Sequence, residues 1–144
     1  VGISQIDAGS RIAIGGYEKM EQEHIPDREQ FQLGDTRSLD KCVQELCTDG
    51  YIPSFCTAGY RCGRTGEHFM TLAKRGDVKN FCTPNAVLTF KEYLLDYASP
   101  ETKEAGSQVI DQYVKSITAA RPQQAQRLQQ LLTRLEAGER DLYI

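Results

Sequence analysis

The chain has 144 residues, a formal net charge of −3, 40% apolar residues and 26% charged residues. This length is enough for one domain with a core of its own, and the slightly acidic balance argues against a nucleic-acid partner. No apolar run approaches the roughly 18 residues of a membrane span, and the first residues lack the basic and apolar pattern of a signal peptide.

The first part of the chain predicts two short buried strands, GISQI at 2–6 and IAIGGY at 12–17. The polar, aperiodic residues 18–37 predict a connecting loop. Buried strands need neighbours in a sheet, and the chain begins with Val1 rather than Met, so we expect a piece of a longer protein.

From Ser38 onward the pattern becomes mainly helical. Ser38 is a candidate N-cap of a helix that Gly50 ends, and a second helix follows between Thr65 and Gly76. Between them, YIPSFC at 51–56 predicts a strand in which Pro53 indicates an edge or a bulge. Strands followed by helices make the predicted fold class α+β.

Three longer helices are predicted in the second half of the chain. Their signals are a cap followed by proline at Thr83–Pro84 and at Ser99–Pro100, and a start near Pro122. The predicted apolar stripes are Val87, Phe90, Leu94 and Tyr97; Ala105, Val109, Tyr113 and Ile117; and Leu128, Leu131, Leu132 and Leu135. Gly138 is expected to end the last helix, and the apolar end of the tail 139–144 predicts that it folds back onto the body.

The five cysteines form two groups. Their odd number argues against a disulfide scaffold and predicts a reducing compartment, the cytoplasm or an organelle matrix. Cys42 and Cys47 lie on an apolar helix stripe and are expected to be buried core residues. Cys56, Cys62 and Cys82 lie on no stripe. A helix N-terminus stabilises negative charge, so loop thiols beside one are suited to bind an iron–sulfur cluster or zinc. The alternative is that the three thiols are unrelated to one another.

Ser10 and Arg11 form a second candidate site. They follow the first predicted strand, at the end where an α/β barrel places its ligand groups. Arginine binds a carboxylate through two hydrogen bonds. A solvent-facing turn is the alternative.

Several segments resemble the radical S-adenosylmethionine tyrosine lyases of FeFe-hydrogenase maturation, namely GISQIDAGSRIAIGGY, EQFQLGDTRSLDKC, GYIPSFCTAGYRCGRTGEHFM, FCTPNAVLTFKEYLLDYA and GERDLYI. The similarity extends over essentially the whole chain and points to the C-terminal part of such an enzyme. The opening segment is also similar to the tyrosine lyases of the thiazole pathway.

The resemblance implies a (β/α)8 barrel that binds a four-iron four-sulfur cluster and S-adenosylmethionine through a C-x-x-x-C-x-x-C motif and cleaves tyrosine. It implies a C-terminal domain with an auxiliary iron–sulfur cluster, carrying an extra iron, where carbon monoxide and cyanide form. On this map residues 1–17 are the last part of the barrel, 18–37 a connecting loop and 38–144 a helical cluster domain. Ser10 and Arg11 become candidate contacts to the amino-acid carboxylate of the substrate.

The resemblance also implies partners for this chain. They are the remainder of the barrel and the scaffold proteins of hydrogenase maturation, with no nucleic acid and no membrane. The chain contains no C-x-x-x-C-x-x-C motif, so we expect it to be inactive by itself and to need the full-length enzyme for S-adenosylmethionine.

The auxiliary cluster of the family is held by a C-x-x-C pair and a third cysteine 22 intervening residues later. Carried onto this chain, the first and third ligands are Cys56 and Cys82, and the second falls at position 59, which is glycine. Three explanations stay open: Cys62 replaces the missing ligand, with Gly59 giving the loop freedom to turn; the site is crippled; or two cysteines and a non-protein ligand hold a weaker cluster.

Two other functions stay open beside the cluster domain. One is a helical partner-docking module without a cluster. The other is a zinc site whose ligands would be Cys56, Cys62, Cys82 and His68.

Overall fold

A computed structural model describes residues 8–10, 37–55 and 66–144. Within these ranges the chain forms helices α1 (Leu39–Thr48), α2 (Gly66–Lys74), α3 (Lys79–Asp96), α4 (Pro100–Ala120) and α5 (Pro122–Glu136). None of the helices in the described ranges is long and apolar enough to cross a bilayer. The chain divides into two compact units, residues 1–43 and 44–144.

In the first unit, Gly9 lies against the start of α1. A Cβ atom on Gly9 would be 3.0 Å from the backbone nitrogen of Leu39, and its φ is +72°. Both the close approach and the left-handed backbone favour glycine at this position.

In the second unit, α3, α4 and α5 pack against one another and form the core. The buried apolar side chains on these three helices include Ala86, Val87, Leu88, Phe90, Leu94, Val109, Ile110, Ile117, Ala125, Leu128, Leu131, Leu132 and Leu135. At Gly106 of α4, a Cβ atom would lie 2.7 Å from both methyl carbons of Leu94 and 3.0 Å from Cζ of Phe90. Glycine at this position therefore lets α3 and α4 come close together.

The local signals for helix ends are confirmed at several places. The Lys41 N–H donates to Oγ of Ser38 at 3.2 Å, and the Thr102 N–H donates to Oγ of Ser99 at 3.3 Å. Positive φ angles end the helical runs at Gly50 (83°), Gly76 (75°) and Gly138 (101°). In each case the residue type meets a requirement of the backbone next to it in sequence.

The predicted α+β fold class is wrong. Helices make up 72% of the described residues, which contain no strand, sheet or barrel and form a small helical domain rather than the end of a (β/α)8 barrel. The predicted strands at 2–6 and 12–17 lie outside the described residues. The segment 51–55 is described and has no regular structure. Its Phe55 is half-buried and stacks on Tyr93 of α3, with ring centroids 4.8 Å apart, so this side chain packs against a helix and not in a sheet.

The predicted start of α3 is also wrong. The helix begins at Lys79, so Thr83 is not its cap and Pro84 lies inside it. A proline within a helix removes the N–H that would bond the carbonyl four residues earlier, here the carbonyl of Asn80. That carbonyl instead accepts a hydrogen bond from Nε2 of Gln124 in α5. A contact from a distant part of the chain thus satisfies the group that Pro84 leaves without its helical partner.

Two predicted stripes are displaced. Tyr97 is 77% exposed, while Ala98 beside it is buried. Tyr97 is the C-cap of α3, with φ −127° and ψ −23°, so it no longer follows the helical spacing. In α4 the predicted Ala105 and Tyr113 are half-buried, and the stripe also includes the buried residues Thr102, Gly106 and Ile110.

The tail returns to α3, as predicted. Nε of Arg140 donates to Oδ2 of Asp96 at 2.7 Å, and the Asp141 N–H donates to Oε2 of Glu92 at 2.9 Å. The main chain of Ile144 pairs with the side chain of Asn85. Since successive tail residues meet successively earlier residues of α3, the tail runs back toward the start of that helix.

Candidate functional site

Cys82 is the described member of the predicted metal-ligand set. It lies in the first turn of α3, where its N–H donates to the carbonyl of Val78 at 2.9 Å. Cys82 is exposed, so a ligand can reach this part of the helix. The prediction placed Cys82 just before the helix; the structure places it inside, still near the positive end of the helix dipole.

The neighbours of Cys82 in α3 are tied to two distant parts of the chain. The carbonyl of Asn80 accepts from Gln124 of α5. Asn85 accepts the Ile144 N–H on its Oδ1 at 2.8 Å and donates from Nδ2 to the Ile144 carbonyl at 3.2 Å. Long-range hydrogen bonds therefore fix the first turns of α3 both before Cys82, at Asn80, and after it, at Asn85.

A surface cavity of about 350 Å³ adjoins the same turn. Its walls include Thr83 and Pro84 of α3, Tyr113 and Ile117 of α4, and Gln124 of α5. The turn that carries Cys82 therefore has open space on its Thr83–Pro84 side, in addition to the exposed position of Cys82 itself.

Cys42 and Cys47 are core residues, as predicted, with 3% and 4% of their surfaces exposed. Burial raises the pKa of the Cys47 thiol to about 11, because removal from water disfavours the thiolate. A metal site binds the thiolate form, so Cys47 is unsuited to the ligand role, whereas the exposure of Cys82 fits it.

Of the remaining predicted site residues, the structure describes only Ser10 and His68. Within residues 8–10, 37–55 and 66–144, no group of three histidine, cysteine, aspartate or glutamate side chains could hold a metal ion. His68 is exposed on α2, and Ser10 is half-buried. Outside the described residues lie Cys56, Cys62, Gly59 and Arg11. The ligand set and the carboxylate contact therefore stay predictions.

Sequence reasoning did not find the contacts of Asn85 and Gln124. Both are single polar residues in helical segments, and their partners Ile144 and Asn80 are 59 and 44 positions away. Pro84 supplied one usable signal: a proline inside a helix implies an unpaired carbonyl four residues earlier, and hence a donor from elsewhere.

Comparison with solved structures finds HydG, a maturase of the [FeFe]-hydrogenase. The match has 45% sequence identity and a TM-score of 0.83, and it covers 99% of this chain and 30% of the HydG chain. The predicted resemblance to a hydrogenase maturase is confirmed. The chain spans about 30% of the length of HydG, which is consistent with the C-terminal part of a HydG-like enzyme. No family model and no curated protein matches the chain.

Proposed function

We propose that this chain is the auxiliary iron–sulfur segment of a HydG-like radical S-adenosylmethionine tyrosine lyase and serves [FeFe]-hydrogenase maturation. The observation that supports the proposal is the match to HydG at 45% identity over 99% of this chain. The rest of the enzyme would hold S-adenosylmethionine and its cluster, since this chain has no C-x-x-x-C-x-x-C motif. By itself the segment would be inactive as a lyase.

The proposed ligands of a four-iron four-sulfur cluster are the thiolates of Cys56, Cys62 and Cys82. Cys82 fits this role because it is exposed and lies in the first turn of α3, where the helix dipole favours negative charge. Cys62 would take the place of the ligand expected at Gly59. When bound, the cluster with its extra iron would supply the metal that receives carbon monoxide and cyanide.

The proposal assigns roles to further parts of the chain. Residues 38–144 are the cluster-bearing part, which includes the five helices of the described residues. Ser10 and Arg11 are proposed contacts to the carboxylate of the amino-acid substrate. The proposed partners are the remainder of the enzyme and the scaffold proteins of hydrogenase maturation.

Anaerobic reconstitution with iron and sulfide tests the proposal. We expect the unaltered chain to bind iron and acid-labile sulfide, to absorb broadly in the visible range and to give an electron paramagnetic resonance signal after reduction. Cys82→Ala should lose the cluster and keep its thermal stability, because Cys82 is exposed. The control Cys47→Ala should keep the cluster and lose stability, because that side chain is buried.

Two results would contradict the proposal. One is a chain that binds no iron under these conditions and whose thermal stability ignores added iron, which is the behaviour of a docking module. The other is zinc found by elemental analysis after aerobic purification, which would favour the zinc set that includes His68. Cys62→Ser separates the explanations for Gly59, because it should abolish the cluster if Cys62 is the replacement ligand.

A further inference from the structure

We propose that Asn85 is a positioning residue for the cluster site, and that it acts by binding the main chain of Ile144. Residues 140–144, which we call the strap, then form a wall beside the turn of α3 that carries Cys82. The inference rests on the proposed function, since it assigns a purpose to contacts around a proposed cluster ligand. It concerns side chains of this chain that the family resemblance did not assign.

The contact between Asn85 and Ile144 has two matched hydrogen bonds. Oδ1 of Asn85 accepts the Ile144 N–H at 2.8 Å, and Nδ2 of Asn85 donates to the Ile144 carbonyl at 3.2 Å. Both bonds are partly buried. A carboxamide offers an acceptor and a donor on one planar group, so asparagine satisfies both main-chain groups of the same residue, which an alanine or an aspartate cannot do.

The position of Asn85 brings the strap to Cys82. Residues three apart on a helix share a face, so Asn85 and Cys82 lie on the same side of α3. Helical side chains lean toward the helix N-terminus, so the carboxamide of Asn85 leans toward the Cys82 turn. Ile144, held by that carboxamide and half-buried, is therefore placed by this geometry on the Cys82 side of α3.

The strap has a second anchor far from Cys82. Arg140 makes two hydrogen bonds to the carboxylate of Asp96, at 2.7 and 2.5 Å. Asp96 is 11 residues beyond Asn85 on α3, which corresponds to roughly 16 Å along the helix axis. Loosening the Arg140 anchor therefore disturbs the strap away from the candidate site, whereas loosening the Asn85 anchor disturbs it beside the site.

Groups around a metal ligand orient it and control how water reaches the metal. For iron–sulfur clusters the same surroundings set the reduction potential. A strap held against the Cys82 turn would slow exchange of a bound cluster and restrict the approach of reagents to the thiol. These consequences concern Cys82 itself, so they can be measured with and without a cluster.

The experiment uses the full 144-residue chain and three variants: Asn85→Ala, deletion of Ile144, and the control Arg140→Met. In the metal-free chains, the rate at which iodoacetamide alkylates Cys82 is followed by peptide mass spectrometry. In the reconstituted chains, the rate of iron loss to a chelator and the resonance spectrum of the reduced cluster are recorded. All rates are compared at temperatures where the variants are equally folded.

We expect Asn85→Ala and the Ile144 deletion each to raise both rates about three- to tenfold, the size expected for loss of a partly buried hydrogen-bonded contact. Arg140→Met should leave both rates within about twofold of the unaltered chain. The deletion keeps the test decisive if Asn85→Ala folds poorly, because it leaves Asn85 itself in place. The inference is overturned if both strap variants leave both rates unchanged, or if Arg140→Met raises them as much.

The two proposals fail in different ways. If Cys82→Ala keeps its cluster while Asn85→Ala speeds alkylation of Cys82, the strap does position this turn and the ligand role of Cys82 is wrong. If Cys82→Ala loses the cluster while the strap variants change neither rate, the inference is wrong and the proposed function stands.

Discussion

Replacing Gly106 with alanine has two opposing effects on stability at the contact of α3 with α4: a gain in helix propensity and a steric overlap. Within a helix, alanine is favoured over glycine by about 1 kcal/mol. The added Cβ atom would lie 2.7 Å from both methyl carbons of Leu94 and 3.0 Å from Cζ of Phe90. Since carbon atoms in good contact are about 3.5–4.0 Å apart, the Leu94 side chain must move by about 1 Å.

That movement is costly because the surroundings are filled. Leu94 is 3% exposed and Phe90 is fully buried, and inserting a methyl group into such a core costs about 1–3 kcal/mol. Subtracting the helix-propensity gain leaves an expected loss of about 1 kcal/mol in the free energy of unfolding for Gly106→Ala. Urea denaturation followed by circular dichroism at 222 nm measures this difference.

A double-mutant cycle with Leu94→Ala identifies the cause. Leu94→Ala alone should cost about 2–5 kcal/mol, because it leaves a cavity in the core. In that background the obstructing methyl carbons are gone, so Gly106→Ala should stabilise by about 1 kcal/mol, a coupling of about 2 kcal/mol between the two sites. If Gly106→Ala alone stabilises the chain by about 1 kcal/mol, as in an exposed helix, the close approach of α3 and α4 is refuted.

Three further predictions concern single groups. Ser99→Ala removes the N-cap bond from the Thr102 N–H and should lower the free energy of unfolding by about 1 kcal/mol; urea denaturation measures it, and an unchanged value would contradict the capping role. Hydrogen bonding from Arg140 lowers the pKa of Asp96, so the stabilisation from this pair should be present above about pH 4 and disappear as the pH falls further. The free energies of unfolding of Asp96→Asn and of the unaltered chain should then differ at pH 7 and converge in acid. A difference that persists unchanged in acid would refute this. With a pKa of about 11, only about one in a thousand Cys47 side chains should be in the thiolate form at pH 8. Iodoacetamide should therefore label Cys82 well before Cys47. Equal rates of labelling in the folded chain would contradict this prediction.

The candidate site was predicted from the sequence only in part. The resemblance to the maturases singled out Cys82, and the structure places it, exposed, in the first turn of α3. The helical stripe of Cys42 and Cys47 correctly predicted two core thiols. The ligand roles of Cys56, Cys62 and Cys82 all stay predictions, and Cys56 and Cys62 lie outside the described ranges.

Most helix ends could be read directly from neighbouring residues. Ser38, Ser99 and Gly138 act on backbone groups within a few positions of themselves, so their effect depends little on the rest of the fold. Apolar spacing likewise identified the buried side of α5, since a helix of that length presents a continuous stripe.

The start of α3 and the surroundings of Cys82 depended on tertiary contacts. Pro84 is tolerated inside α3 because Gln124, 44 positions away from Asn80, bonds the carbonyl that the proline leaves without its helical partner. The contact of Asn85 with Ile144 spans 59 positions. Hydrogen bonds of this kind join groups that no local periodicity relates, and they depend on the packing of α5 and of the C-terminal tail against α3.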